Sequence, residues 1–123
     1  MSHKILVVDD DILVVEALKE LLSSSGYNVK TAYRGHEALE IIDKESFDLL
    51  ILDVVMPKMT GFEVCCEVRK RDDEMSKAKI IMLTAKAEAH DREAGEKYGC
   101  DLYLPKPIDP VKLKNLIKEM LME

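Results

Sequence analysis

The chain has 123 residues, of which 47% are hydrophobic and 34% are charged. This length and balance predict one globular domain spanning residues 1–123, and they exclude a disordered or fibrous chain. The net charge of −6 argues against a module that binds nucleic acid directly, because phosphate backbones are bound by basic surfaces.

The sequence contains no targeting signal or membrane span, and its cysteines do not form a metal-binding pattern. Its longest apolar runs are far shorter than the roughly 18 residues of a membrane span, and its N-terminus is too brief for a signal peptide. The three cysteines, Cys65, Cys66 and Cys100, are odd in number and lack a Cys-x-x-Cys pair. We therefore expect a cytoplasmic protein with reduced thiols and without membrane association.

Apolar runs of strand length alternate with segments of helical period along the first half of the chain. Lys4–Val8 is apolar and β-branched, which predicts a strand buried on both faces. A helix, a weaker strand and a second helix follow at Ile12–Ser24, Asn28–Ala32 and Gly35–Lys44. The first helix is predicted to turn one apolar face inward, which consists of Val14, Ala17, Leu18, Leu21 and Leu22.

The second half continues the same alternation. The predicted elements are, in order, strand Leu49–Leu52, helix Phe62–Arg71, strand Ile80–Leu83, helix Glu88–Tyr98, strand Leu102–Leu104 and a last helix from Pro110. Thr60 and Asp109 are the predicted N-caps. In the third helix, the residues predicted to face inward are Phe62, Cys65, Cys66 and Val68. Five strands alternating with five helices predict an α/β fold with a doubly wound parallel sheet and helices on both faces.

Polar residues follow four of the predicted strands. They are Asp9, Asp10 and Asp11 after the first strand, Asp53 after the third, Thr84 after the fourth and Lys106 after the fifth. In open parallel sheets, ligands bind at the carboxyl ends of the strands, so these side chains are expected to meet. Packing of the core does not require such an arrangement, which indicates a functional site.

The residue types at this edge indicate phosphoryl chemistry. Three neighbouring carboxylates repel one another and are tolerable only with a cation among them. Oxygen ligands of this kind suit Mg²⁺, or Mn²⁺ in its place. Lys106 and Thr84 supply a positive charge and a hydroxyl for phosphoryl oxygens, and Asp53 is then a candidate carboxylate nucleophile that forms an acyl phosphate.

The same residues carry a family resemblance that covers essentially the whole chain. The paired Asp9-Asp10 after Ile-Leu-Val-Val, the string Asp53-Val-Val-Met-Pro-Lys-Met-Thr-Gly61, and the pairs Thr84-Ala85 and Lys106-Pro107 stand in family-like order and spacing. In these motifs the chain resembles the receiver domains of two-component response regulators. That resemblance implies a flavodoxin-like fold with strand order 2-1-3-4-5.

The resemblance also implies a role for each site residue. Asp53 is the implied phosphoacceptor, which takes the group from a phosphohistidine of a sensor histidine kinase or phosphotransfer protein. The implied Mg²⁺ ligands are Asp10, Asp53 and the backbone carbonyl of Val55, with Asp9 acting through water. Thr84 and Lys106 are implied to contact the phosphoryl oxygens.

Further implications concern the switch and the output. Lys106-Pro107 is the implied cis peptide bond, and Tyr103 is the implied aromatic switch, which turns inward as Thr84 moves. The implied output face comprises the fourth helix, the fifth strand and the fifth helix, where a downstream target binds. The chain is then a monomer or a phosphorylation-dependent dimer, and it is not an enzyme, since it assists only its own phosphorylation and dephosphorylation.

Three positions modify these expectations. Val55 and Lys86 stand two residues after Asp53 and Thr84, where the family tunes the lifetime of the acyl phosphate. Because an apolar valine cannot orient an attacking water, slow self-dephosphorylation is expected. Lys112 stands near the place where winged-helix regulators of this family carry an acid for their dimer interface, which disfavours that dimer.

Other interpretations remain open at this point. Asp9, Asp10 and Asp11 alternatively form a helix N-cap cluster, and Tyr103 is alternatively a half-buried packing residue. A Mg²⁺-dependent phosphatase or phosphotransferase with an aspartyl nucleophile is a second possible function. Such enzymes, however, place Asp-x-Asp after the first strand and need an additional segment that covers the substrate. A flavodoxin-like electron carrier is a third, but three aspartates after the first strand would repel the phosphate of FMN.

Overall fold

The computed structural model describes residues 3–85 and 99–122. Five strands form one sheet, and every neighbouring pair is parallel. The strands are β1 (Lys4–Val8), β2 (Asn28–Ala32), β3 (Leu49–Asp53), β4 (Lys79–Thr84) and β5 (Leu102–Pro105). Their order is β2-β1-β3-β4-β5, so the predicted doubly wound parallel sheet and the order 2-1-3-4-5 are both confirmed.

Helices connect the strands. The described ones are α1 (Ile12–Ser24), α2 (Gly35–Lys44), α3 (Gly61–Arg69) and the C-terminal helix (Pro110–Met120), together with a short 3₁₀ helix at Glu74–Lys77. Asp109 caps the C-terminal helix, and Pro110 is its first residue, as predicted. The predicted helix Glu88–Tyr98 and the position of Lys86 lie outside the described residues.

The sheet separates two buried apolar layers. Leu50 and Leu52 of β3 pack with α2 and α3 on one face, whereas Leu49 and Ile51 pack with α1 and the C-terminal helix on the other. Every residue of β3 is buried, because the strand lies in the middle of a sheet covered on both sides. The central strands therefore form the rigid frame that carries their own polar ends.

The buried face of α1 is rotated relative to the prediction. Its buried residues are Val15, Leu18 and Leu22, whereas Val14 and Leu21 are half-buried and Ala17 is exposed. The spacing of three and four residues places Val15 over the sheet, which the prediction missed. Val14, Ala17 and Leu21 instead line an apolar groove between α1 and the chain after β5.

Helix α3 begins and ends earlier than predicted. Thr60 and Glu63 form a capping box, so Gly61 is the first helical residue. The helix ends at Arg69 rather than Arg71, and the Arg71 side chain forms salt bridges outside it.

The inward face of α3 is only partly as predicted. Cys65 and Val68 are buried, but Phe62 and Cys66 are half-buried, and the buried Val64 was missed. Val64 lies against the first residue of α2, since a side chain built on Gly35 would meet it.

The cysteines behave as packing residues. None of the three is in a disulfide bond in the described part of the chain, and burial raises the pKa of the Cys65 thiol to about 12. A thiol with a raised pKa is a poor nucleophile, so Cys65 is a packing residue of the core. No helix within residues 3–85 and 99–122 is long and apolar enough to cross a membrane.

Candidate functional site

Four strands end in polar residues at one edge of the sheet. β1 leads directly into Asp9, β3 ends at Asp53, and β4 ends at Thr84. Lys106 follows β5, and its backbone N–H donates a hydrogen bond of 2.7 Å to the carbonyl oxygen of Thr84. Because all the strands run in the same direction, these residues meet at the carboxyl edge, where the sequence predicted a site.

The structure brings three carboxylates together. Oxygen atoms of Asp9, Asp10 and Asp53 all lie within 4.8 Å of one another. Asp9 is 2% exposed and Asp53 is 5% exposed, whereas Asp10 is exposed. Buried acids at this spacing repel each other strongly, and a hard divalent cation such as Mg²⁺ or Mn²⁺ would relieve that repulsion. The donor set therefore fits the predicted metal.

Lys106 bridges two of these acids. Its Nζ lies 2.7 Å from Oδ2 of Asp9 and 3.3 Å from Oδ1 of Asp53. Although burial alone would lower it, the hydrogen bond to Asp9 and the charge of Asp53 raise the pKa of Lys106. The ammonium is therefore a permanent positive charge beside the Asp53 carboxylate.

The pKa of the Asp53 carboxyl lies well above its ordinary value. Burial, followed by the negative charge of Asp9, raises the pKa of Asp53 to about 6, and Lys106 only partly opposes this. A nucleophilic carboxylate must be ionised, so additional positive charge at the site favours the reactive form of Asp53.

Asp11 does not belong to the cluster. Its side chain accepts a hydrogen bond of 3.0 Å from the backbone N–H of Leu13 and caps α1. Its own N–H donates to Oδ1 of Asp9 at 2.9 Å, which fixes the Asp9 carboxylate. The N-cap interpretation therefore holds for Asp11 alone, while Asp9 and Asp10 join Asp53.

The remaining predicted residues lie on, or directly after, strands β3, β4 and β5. Thr84 is 2% exposed at the end of β4, and Tyr103 is half-buried on β5. The peptide bond between Lys106 and Pro107 is cis. Val55 is 69% exposed, two residues after Asp53.

The loop between β3 and α3 depends on a close backbone approach. A Cβ atom on Gly61 would lie 2.2 Å from the carbonyl oxygen of Asp53, and the Gly61 N–H donates to the oxygen of Val54 at 2.9 Å. Close approach of the backbone, and not a positive φ, therefore requires glycine at position 61. The positive φ lies at Lys58, at 70°, which the sequence analysis missed.

Replacement of Asp53 by asparagine is expected to stabilise the fold. Because the pKa of Asp53 in the folded state lies above its ordinary value of 3.8, the native state binds the proton more tightly than the unfolded chain does. Stability therefore falls as pH rises through the window from 3.8 to about 6. At pH 7 without divalent cations, Asp53→Asn should raise the free energy of unfolding by about 1–3 kcal/mol. Denaturant unfolding measures this.

The pH dependence supplies the control for that prediction. At pH 4 the difference between wild type and Asp53→Asn should largely vanish, and Mg²⁺ should stabilise the wild type alone. Asp72→Asn, which removes an exposed acid beyond α3, should have little effect at either pH. A gain for Asp53→Asn that is equal at pH 4 and pH 7 would contradict the electrostatic explanation.

The sheet order and the acid cluster bridged by Lys106 agree with a match between the sequence and a protein-family model. Residues 5–118 match the family model described as "Response regulator receiver domain". The chain therefore belongs to the receiver domain family of two-component response regulators.

Individual relatives agree with this assignment. The chain is 48% identical to "Response regulator MprA" of Mycobacterium ulcerans over 87% of its own length and 45% of the relative. It is 40% identical to the "Probable transcriptional regulator ycf29" of Porphyra purpurea over 98% of its length and 57% of the relative. The chain thus spans about half the length of these two curated relatives.

Solved structures show the same fold. Chemotaxis protein CheY4 of Vibrio cholerae superposes with a TM-score of 0.93 at 35% identity, covering 98% of this chain and 99% of that one. A CheY-like receiver domain protein from Methanospirillum hungatei gives a TM-score of 0.91 at 33% identity, covering 98% and 94%. The predicted receiver family and flavodoxin-like fold are confirmed.

Proposed function

We propose that this receiver domain accepts a phosphoryl group on Asp53 from the phosphohistidine of a sensor histidine kinase or phosphotransfer protein. The observation that carries the proposal is the position of the Lys106 ammonium, 2.7 Å from Asp9 and 3.3 Å from Asp53, within a cluster of three carboxylates. Phosphoryl transfer requires mainly positioning and neutralisation of charge, which such a cluster provides.

In the proposed step, an ionised oxygen of Asp53 forms a bond to phosphorus while the phosphorus–nitrogen bond of the donor breaks. The electron pair of that bond stays on the imidazole nitrogen, which leaves with the donor protein. Lys106 remains protonated, since its pKa is raised, and neutralises charge on the phosphoryl oxygens. The proposed role of Thr84, at the end of β4, is to donate a hydrogen bond from its hydroxyl to one of those oxygens.

Asp9, Asp10 and Asp53, with the backbone carbonyl of Val55, are the residues proposed to hold Mg²⁺. When bound, the ion supplies positive charge that neutralises the acids and the phosphoryl oxygens. The raised pKa of Asp53 supports this role, because that carboxylate is under-neutralised by Lys106 alone.

We further propose that phosphorylation is read out as a change in conformation. Thr84 and Tyr103 are the proposed switch residues, and the downstream target would bind the face of the predicted fourth helix, β5 and the C-terminal helix. The chain would catalyse nothing except its own phosphorylation and dephosphorylation. Wild-type protein should therefore leave a generic phosphomonoester unhydrolysed over many hours.

Incubation with acetyl phosphate and Mg²⁺ tests phosphorylation directly. Intact-mass analysis should show one added phosphoryl group on the wild type, none on Asp53→Ala, and one on the control Asp72→Ala. Chelation of divalent cations should abolish the gain for the wild type. Equal labelling of Asp53→Ala would remove Asp53 from its proposed role.

The lifetime of the acyl phosphate is the second test. Val55 is exposed beside Asp53 and offers no polar atom on its side chain to orient an attacking water, so decay after removal of the donor should take minutes or longer. Val55→Asn should shorten the lifetime, whereas the isosteric Val55→Thr shows how much a single hydroxyl contributes. A wild-type lifetime of seconds would contradict this prediction.

A further inference from the structure

Two aromatic rings connect α3 to β5. Phe62, the second residue of α3, and Tyr103, on β5, stack with ring centroids 6.3 Å apart and planes inclined by 3°. This is the geometry of an offset parallel stack, which stabilises a pair of rings beyond the burial of their surface. Both residues pack against the same apolar layer of the core.

Each end of this stack is attached to the acid cluster. Phe62 follows Gly61, whose backbone lies so close to Asp53 that a Cβ would approach its carbonyl oxygen to 2.2 Å. Tyr103 stands three residues before Lys106, whose ammonium lies 3.3 Å from Asp53. The contacts and chain connections therefore form a closed cycle, which runs from Asp53 through Gly61, Phe62, Tyr103 and Lys106 back to Asp53.

β5 is the least buried strand in this cycle of contacts. Its residues are half-buried or exposed, whereas all five residues of β3 are buried. It is hydrogen-bonded to β4 on one side in the described sheet order, where it forms the end of the sheet. Segments with few buried contacts unfold locally at a small cost in free energy. A side-chain contact from α3 should therefore make a large contribution to the local stability of β5.

We infer that Phe62 is a positioning residue for Lys106. It acts through the stack on Tyr103, which holds the end of β5 so that the Lys106 ammonium faces Asp53 and Asp9. The kinetic consequence rests on the proposed phosphoacceptor function, but the structural consequence does not. Asp53 ends β3, and Asp9 and Asp10 directly follow β1, so loss of the stack should not weaken their affinity for a cation.

Phe62→Leu tests this inference with three measurements. Amide hydrogen exchange at Lys106, whose N–H bonds the Thr84 carbonyl, should accelerate roughly 2- to 10-fold. The rate of phosphorylation by acetyl phosphate should fall by about 3- to 10-fold, because misplacement of a catalytic group slows chemistry. The dissociation constant for Mg²⁺, measured by titration, should not rise by more than about twofold, since the carboxylate ligands are untouched.

Two variants provide controls. Phe62→Tyr keeps the ring and should restore both rates, whereas Ile41→Val removes a methyl group from the same apolar layer and should change neither. In a Tyr103→Leu background, Phe62→Leu should have no further effect on Lys106 exchange, because the stack is already lost.

The outcomes separate this inference from the proposed function. Unchanged Lys106 exchange in Phe62→Leu, or a parallel loss of Mg²⁺ affinity, would overturn the positioning role. Acceleration of the same size in Ile41→Val would do so too. A wild type that takes no phosphoryl group would refute the proposed function instead, and the exchange experiment would still decide the role of Phe62.

Discussion

Gly61→Ala should destabilise the protein by about 3 kcal/mol or more and abolish phosphorylation, since overpacking against rigid backbone is among the costliest core changes. The new Cβ would lie 2.2 Å from the carbonyl oxygen and 2.9 Å from the carbonyl carbon of Asp53. Both atoms belong to a buried strand, so relief requires movement of α3 or of Asp53 itself. Denaturant unfolding and acetyl phosphate labelling measure the two effects.

Gly26→Ala is the matched control for that substitution. Gly26 has a φ of +95°, but nothing lies within 4 Å of a Cβ built there. The change should therefore cost only the strain of a positive φ, roughly 1–2 kcal/mol, and leave phosphorylation intact. If Gly61→Ala were milder than Gly26→Ala, the close approach to Asp53 would not be the constraint on Gly61.

Arg69→Met should lower the free energy of unfolding by about 2–4 kcal/mol, because it leaves several backbone carbonyls without their donor. The guanidinium donates to the carbonyl oxygens of Gly99, Ser76 and Ala78 at 2.9, 2.9 and 2.7 Å. It also pairs at 3.0 Å with Asp101, whose carboxylate accepts from the N–H of Ile80. One side chain thus joins the end of α3 to the starts of β4 and β5.

Two other variants distinguish this network from a simple charge effect. Arg69→Lys keeps the charge but not the planar fork of donors, so it should recover less than half of the loss. Arg71→Met removes an arginine that pairs with the well-exposed Asp43 and Asp73, and it should cost less than about 1 kcal/mol. Equal losses in Arg69→Met and Arg71→Met would show that the carbonyl contacts contribute little.

Much of the architecture could be predicted because it depends on local patterns. Continuous apolar runs such as Lys4–Val8 predicted buried parallel strands, and the observed bounds of that strand are the same. The observed start of α3 differs from the predicted one because of a local contact, the capping box of Thr60 and Glu63. The 3₁₀ helix Glu74–Lys77 was missed, although Asp73, which caps it, was a signal in the sequence.

The candidate site was predictable in its membership but not in its distances. Parallel strands put their carboxyl ends at one edge, so Asp9, Asp53, Thr84 and Lys106 could be expected together from chain order alone. Which aspartate caps α1 was left open, although the predicted start of that helix at Ile12 places Asp11 at the N-cap position. The hydrogen bond from the N–H of Leu13 to Asp11 confirms this role.

By itself the sequence determined the alternation of strands and helices, the family, and the set of polar residues at the strand ends, since each of these is written in neighbouring residues. The tertiary structure alone decided the contacts between residues far apart in the chain. These are the fit of Gly61 against Asp53, the stack of Phe62 on Tyr103, the network of Arg69, and the burial that raises the pKa of Asp53. Such contacts depend on how finished elements pack in three dimensions, and no local pattern encodes a distance or a degree of burial.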